Sequence, residues 1–77
     1  MTDVQIPKLG MSTVEVGITA VLVKVGDRVE PSTIVVEVES EKATVEIEAG
    51  STGTVVEILV AEGDDANVGD VLVRLAP

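Results

Sequence analysis

The sequence lacks three residue types on which many functional sites depend. Its 77 residues include no cysteine, no histidine and no aromatic side chain. Without cysteine the chain forms no disulfide and offers no thiolate to a metal or a substrate, a composition that suits a reducing cytosol. Without histidine it lacks the usual general base and the commonest metal ligand. A self-contained enzyme is therefore the least expected class of function.

Basic residues are also scarce. Five lysines and arginines stand against 14 acidic residues, which gives a net charge of −9. Because phosphate groups and anionic lipids are bound by clusters of basic side chains, we expect neither a nucleic-acid partner nor a membrane partner. The acidic residues keep a valine-rich domain soluble, and they would steer a partner with a positive surface toward it.

Long apolar runs are missing as well. No stretch is long enough to span a bilayer, and residues 1–5 lack the basic region and apolar segment of a signal peptide. No transit peptide is recognised either, so the expected location is the cytoplasm. The length suits one small domain, and residues 1–77 are expected to form a single domain.

The residues that are present alternate with the period of a β-strand. Valine dominates the apolar set, and β-branched side chains favour strands. Short apolar segments are separated by glycine or proline, which indicates turns. We predict an all-β fold, a flattened barrel or sandwich of two antiparallel sheets, with no helix. The predicted strands cover residues 4–7, 17–24, 33–39, 44–48, 53–60 and 71–75.

The chain also contains an internal repeat. Residues 22–27 (LVKVGD) match residues 59–64 (LVAEGD), and the same shift of 37 places residues 34–38 on residues 71–75. Neither half could bury its apolar face alone, so the halves are expected to pack as a pseudo-twofold pair. The same shift relates Lys42 to Gln5 and to a position just past Pro77. The Lys42 turn and the two termini are therefore expected in equivalent places at opposite ends of the domain.

The pattern around Lys42 predicts a β-hairpin. If Val38 pairs with Val45, then Val36 pairs with Ile47 and the apolar side chains share one face. A slip of one residue would place valine opposite glutamate, so the register is well specified. This pairing leaves residues 40–43 at the tip. Because no glycine is present there, a type I turn is expected.

Three interpretations of Lys42 follow from the residues alone. Lys42 is the only basic residue among five glutamates at positions 37, 39, 41, 46 and 48, and most such lysines are ordinary surface charges. A carboxylate metal site is a weak alternative, because alternating glutamates on strands stand apart and no loop brings them together. A Schiff-base lysine would need desolvation or a cationic neighbour, and the sequence suggests neither.

The segment ESEKATVEI at residues 39–47 resembles the lipoylation motif of lipoyl domains. These are the swinging-arm domains of the dihydrolipoamide acyltransferase component of 2-oxo acid dehydrogenase complexes. The resemblance covers nearly the whole chain, including the opening IPKLGM at residues 6–11 and the Gly-Asp turns at residues 26–27 and 63–64. It implies that Lys42 is the attachment site of lipoic acid through an amide, and that Glu41 and Ala43 frame it for the modifying enzyme. It implies no catalytic residue and no metal site in the domain.

The same resemblance implies a set of partners. They are a thiamin-dependent 2-oxo acid decarboxylase, an acyltransferase core, a dihydrolipoyl dehydrogenase, and a lipoate ligase or lipoyl transferase. The isolated domain is expected to be monomeric. The ending Ala76-Pro77 resembles the start of an Ala/Pro linker, so we expect an N-terminal piece of a longer acyltransferase, with a free-standing carrier as the alternative. The 2-oxo acid substrate stays open.

Rival interpretations share the predicted fold. A biotin carrier typically has methionine on both sides of its lysine, whereas Lys42 has Glu41 and Ala43. The glycine-cleavage carrier is a longer protein, and an unmodified interaction module would not need Lys42. The chain departs from the lipoyl pattern at Glu41, where aspartate is commoner, and at Gly50, where proline is frequent. Residues 31–33 lack the Gly-Asp pair found at residues 69–70. These departures concern local turn geometry and not the attachment site.

Overall fold

Wherever the structure of the protein is described, its regular secondary structure consists of short strands joined by turns and loops. The computed structural model describes residues 1–7, 15–40 and 43–77, and these ranges contain eight strands and no helix. The strands are β1 (Thr2–Gln5), β2 (Glu15–Val21), β3 (Arg28–Val29), β4 (Ile34–Glu39), β5 (Thr44–Glu48), β6 (Gly53–Ile58), β7 (Asp65–Asn67) and β8 (Val71–Ala76).

The strands form two antiparallel sheets of four. The first, here called the terminal sheet, has the order β1-β8-β6-β3, and the second, the hairpin sheet, has the order β5-β4-β2-β7. Consecutive strands β4 and β5 pair directly, whereas β1 pairs with β8 from the other end of the sequence. The predicted fold class, two antiparallel sheets with internal pseudo-twofold symmetry, is confirmed.

The core is aliphatic, as the absence of aromatic residues requires. Inward-facing side chains of both sheets form one buried cluster. Valine provides about half of it because β-branched side chains pack closely on a pleated surface. The buried members are Val4, Ile6, Val16, Ile18, Val23, Val29, Val35, Val36, Val38, Ile47, Ala49, Val55, Ala66, Leu72, Val73 and Leu75.

Six of the eight strands were predicted from alternation, although their ends differ. The largest difference is in β2, which ends at Val21 instead of residue 24. The prediction missed β3 and β7, which are two and three residues long, because such short strands show no periodicity. Each is held only by pairing with a strand distant in sequence, β6 and β2 respectively.

Hydrogen bonds confirm that the repeat is structural. The Asp27 carboxylate accepts from the Lys24 N–H at 2.8 Å, and the Asp64 carboxylate accepts from the Ala61 N–H at 2.8 Å. The β2–β4 and β6–β8 registers also shift at equivalent points, after Ile18 and after Val55. The shift of 37 therefore relates turns, strands and bulges alike.

Each half closes its Gly-Asp turn against the other half. The Gly26 N–H donates to the Val55 carbonyl at 2.7 Å, and the Gly63 N–H donates to the Ile18 carbonyl at 2.8 Å. Because these bonds join the two halves of the sequence in both directions, neither half completes its backbone hydrogen bonding alone. The expectation that the halves depend on each other is met by the backbone as well as by the core.

One detail of the predicted symmetry is wrong. Gln5 is not the counterpart of Lys42, because the shift of 37 residues relates equivalent positions only as far as the end of β4. Val36 pairs with Ile47, and its equivalent Val73 pairs with Val4, so β1 corresponds to β5. The hairpin that joins β4 to β5 thus corresponds to the gap between the end of β8 and the start of β1. The turn and the two chain ends are equivalent, as expected, and they belong to different sheets.

A second departure lies in the turn at residues 30–33. The equivalent turn at residues 67–70 has Gly69 at its third position with φ of 94°, which is the conformation of a type II turn. Ser32 occupies the same place with a negative φ, and the turn is of type I. The Thr33 hydroxyl accepts from the Glu30 N–H at 2.9 Å, as the Asp70 carboxylate does from the Asn67 N–H at 2.8 Å. The missing Gly-Asp pair changes the turn type and leaves the closing bond in place.

Candidate functional site: the β4–β5 hairpin

The hairpin has the predicted register. Val38 pairs with Val45, Glu37 with Glu46, and Glu39 with Thr44. Strict alternation would place Ile34 on the same face as Val36 and Val38, but Ile34 is half-buried and its neighbour Val35 is fully buried. A register shift between Ile34 and Val36 turns Val35 into the core, and alternation cannot reveal such a bulge. Nearer the tip, the pairing follows the pattern without a break.

Strand β4 is supported on both sides up to its last residue. Glu39 pairs with Thr44 of β5 and with Gly17 of β2. Where the β2–β4 register shifts, the Thr19 hydroxyl donates to the Glu37 carbonyl at 3.0 Å. The base of the hairpin is therefore tied into the centre of its sheet and does not project as an isolated two-stranded ribbon.

Ser40 closes the tip. Its N–H donates to the Ala43 carbonyl at 2.8 Å, and its hydroxyl donates to the same oxygen at 3.0 Å. Ser40 is 8 % exposed, and it is the buried polar residue of the described chain. Ser40 and Ala43 therefore form the last bonded pair of the hairpin, and two residues connect them.

Those two residues are Glu41 and Lys42. Both lie outside the described residues, and so does the type of turn that they adopt. Of the three predicted site residues, Ala43 is described: it is exposed, and its carbonyl accepts both Ser40 bonds. The hairpin thus places the predicted site at the one point where the chain reverses between β4 and β5.

Sequence reasoning missed the supporting roles of Ser40 and Thr19. A serine immediately before a turn is a weak signal, since its hydroxyl often bonds nearby backbone groups. Thr19 gave no signal, because its acceptor is 18 residues away and is brought near only by a bulge.

The described residues of the hairpin carry only negative charges. Glu37 and Glu46 lie directly opposite each other, and Glu39 and Glu48 are exposed. The salt bridges of the described residues both belong to Arg74, which contacts Asp3 and Glu57 on the other sheet. Among the described residues, therefore, no basic side chain neutralises the hairpin glutamates.

Neither a metal centre nor a membrane segment was found in the described part of the chain. Residues 1–7, 15–40 and 43–77 contain no group of three acidic side chains placed to hold a metal ion together. Among the same residues, no helix is long and apolar enough to cross a membrane.

Comparison with known proteins identifies relatives over nearly the full chain. A family model described as "Biotin-requiring enzyme" (Biotin_lipoyl) matches residues 2–75. The dihydrolipoyllysine-residue acetyltransferase component of the pyruvate dehydrogenase complex of Corynebacterium glutamicum is 45% identical over 74 residues, which are 96% of this chain and 11% of that protein. The corresponding Staphylococcus aureus protein is 38% identical over 95% of this chain and 17% of its own length. The chain thus spans a small part of each of these relatives.

A solved structure has the same fold. The solution structure of the lipoyl domain of the 2-oxoglutarate dehydrogenase complex from Azotobacter vinelandii superposes with a TM-score of 0.78 at 26% sequence identity. The match covers 100% of this chain and 98% of that one. The likeness extends over the whole molecule, including the β4–β5 hairpin.

Proposed function

The chain belongs to the Biotin_lipoyl family of carrier domains, and we propose that Lys42 is its point of lipoyl attachment. Family membership confirms the non-catalytic carrier class that was predicted from the sequence. Its similarity to acetyltransferase components and to a lipoyl domain supports the lipoyl branch. The specific lysine, its cofactor and its partners are what we propose here.

The observation that carries the proposal is the closure of the hairpin. Ser40 and Ala43 form its last bonded pair, so the connection consists of Glu41 and Lys42 alone. The residues that follow this connection, Ala43 and Thr44, are exposed. A carried group must enter several active sites in turn, and a lysine in this place can be presented without unfolding a strand.

Lipoate fits this lysine better than biotin. The residues on either side of Lys42 are Glu41 and Ala43, whereas biotinylated domains typically have methionine in both places. We propose that Glu41 and Ala43 are read by the modifying enzyme together with the lysine. When bound, the cofactor supplies a dithiolane that accepts an acyl group and two electrons.

The protein's own contribution is presentation. The domain holds a tethered group near successive partners and so raises its local concentration without new contacts.

The proposed partners are a thiamin-dependent 2-oxo acid decarboxylase, an acyltransferase core, a dihydrolipoyl dehydrogenase, and a lipoate ligase or lipoyl transferase. The two acetyltransferase relatives come from pyruvate dehydrogenase complexes, so pyruvate is the first 2-oxo acid to test. The bacterial origin of these relatives supports a cytoplasmic location. We also propose that residues 1–77 form one monomeric carrier domain of a longer acyltransferase.

Intact-mass spectrometry tests the attachment site. Co-expression of the 77-residue chain with a lipoate ligase and lipoate is expected to add one lipoyl group per chain. Lys42→Arg is expected to abolish the addition, while Lys24→Arg and Lys8→Arg leave it complete. Modification that persists in Lys42→Arg, or that appears only with a biotin ligase and biotin, would falsify the proposal.

A further inference from the structure

The pseudo-twofold symmetry provides an internal control for function. A feature that occurs in both halves serves the fold. A feature found only in the half that contains β2 to β5, here called the hairpin half, is a candidate for a specific role. The turn bonds made by Asp27 and Asp64 belong to the first kind. So does the bond of Thr33, which the Asp70 carboxylate reproduces.

Among the described residues, two hydroxyl bonds occur in the hairpin half and have no counterpart in the other half. One is the bond from Thr19 to the Glu37 carbonyl, and the other is the bond from Ser40 to the Ala43 carbonyl. The equivalent positions in the other half are Val56 and Pro77, which have no hydroxyl. Both extra bonds act on the strand pair that carries the tip.

Ser40 makes a bond that strand pairing does not require. Its N–H already satisfies the Ala43 carbonyl, and the hydroxyl adds a second bond to the same oxygen. Because Ser40 is nearly buried, its side chain has little freedom to turn toward solvent. The second bond therefore fixes how Ser40 and Ala43 face each other across residues 41 and 42.

We propose that Ser40 is a positioning residue for the modification of Lys42. Its hydroxyl keeps Ser40 and Ala43, which flank residues 41 and 42, in one arrangement for the modifying enzyme. If only a fraction of the molecules has this arrangement, the apparent affinity of the enzyme for the domain falls to that fraction of its full value. The inference rests on the proposed function, and Thr19 supports the same hairpin one step further from the tip.

Lipoylation kinetics of the 77-residue chain test the role of Ser40. For Ser40→Ala we expect a roughly three- to tenfold rise in the KM of a lipoate ligase for the domain, with kcat little changed, because one hydrogen bond is lost. Ser40→Thr keeps the hydroxyl and is expected to restore the KM. Amide hydrogen exchange gives a second readout, since the backbone N–H at position 40 should exchange faster in Ser40→Ala than in the wild-type chain.

Thr33→Ala is the matched control. It removes a hydroxyl that accepts at 2.9 Å in the turn before β4, away from the tip. We expect it to lower stability about as much as Ser40→Ala while leaving the ligase KM and the Ser40 amide exchange unchanged. An unchanged KM in Ser40→Ala, an equal rise in Thr33→Ala, or no rescue by Ser40→Thr overturns the positioning role alone. A wild-type chain that accepts no lipoate overturns the proposed function, and this inference with it.

Discussion

The hairpin sheet and the terminal sheet share a backbone plan but differ in how their charged side chains are paired. On the terminal sheet, Arg74 of β8 lies between Asp3 of β1 and Glu57 of β6, at 3.3 Å and 2.7 Å. On the hairpin sheet, Glu37 takes the place of Arg74, with Glu46 and Ala20 as its neighbours. A cation between two acids is thus replaced by two acids facing each other.

The difference follows from how each strand pair is joined. Strands β4 and β5 are linked by a short turn, so their pairing is local and needs little help. Strands β1 and β8 come from opposite ends of the sequence, and the Arg74–Asp3 contact spans 71 positions. The hydrogen bond and charge of Glu57 raise the pKa of Arg74 above its ordinary value. The ion pairs of Arg74 stabilise the terminal sheet, in which β1 and β8 pair without a turn to join them.

The largest expected effect lies in the core that both sheets share. Leu72 and Val35 occupy equivalent, fully buried positions. Leu72→Ala should cost about 2–5 kcal/mol, because it removes buried methyl groups and leaves a cavity. Val35→Ala should cost less, since fewer atoms are lost. Urea denaturation measures both, and a cost for Leu72→Ala below that of Val35→Ala would contradict equal packing of the two halves.

The next largest effect is expected at Gly53, which lies close to a carbonyl oxygen of the neighbouring strand. A Cβ on Gly53 would lie 2.5 Å from the Ala76 carbonyl oxygen, so Gly53→Ala should cost about 1–3 kcal/mol through overpacking. Gly17 is the matched control, because its nearest atom would be the Glu39 carbonyl oxygen at 4.0 Å. Gly17→Ala should be neutral within about 0.5 kcal/mol. Thermal unfolding of the two variants decides, and equal Tm values would disprove the close approach at Gly53.

The two Gly-Asp turns should respond alike. Asp27→Ala and Asp64→Ala each remove a carboxylate that accepts a backbone N–H at 2.8 Å. Each should cost about 1 kcal/mol, the usual loss for one hydrogen bond. Denaturation midpoints that differ clearly between the two variants would show that the halves are not energetically equivalent.

The smallest expected effect comes from transferring the terminal-sheet charge pattern to the hairpin sheet. Glu37→Arg places a cation opposite Glu46 and should stabilise the domain by roughly 0.5 kcal/mol, since a like-charge pair becomes an opposite-charge pair. The gain should shrink in high salt. Glu39→Arg is the control, because Glu39 faces Thr44 and gains no cross-strand partner. A decrease in Tm for Glu37→Arg at low salt would disprove the repulsion.

Much of the hairpin was predictable because alternation acts over a few neighbouring residues. Val38 opposite Val45 and Glu39 opposite Thr44 followed from matching apolar faces, and the structure confirms both pairs. The bulge that buries Val35 was not predictable, since it adds a residue without changing the local pattern. Nor was the role of Gly53, whose constraint comes from a carbonyl 23 positions away at Ala76.

The sequence by itself determined six of the eight described strands, the repeat, the hairpin register and the motif around Lys42, because each is a pattern that is visible along the chain. Only the tertiary structure decided which strands became neighbours and how each Gly-Asp turn closed on the opposite half. It also decided which backbone carbonyls the hydroxyls of Thr19 and Ser40 bond. Those outcomes depend on pairing between distant segments. That pairing is selected by the packing of the whole core, and no local pattern records it.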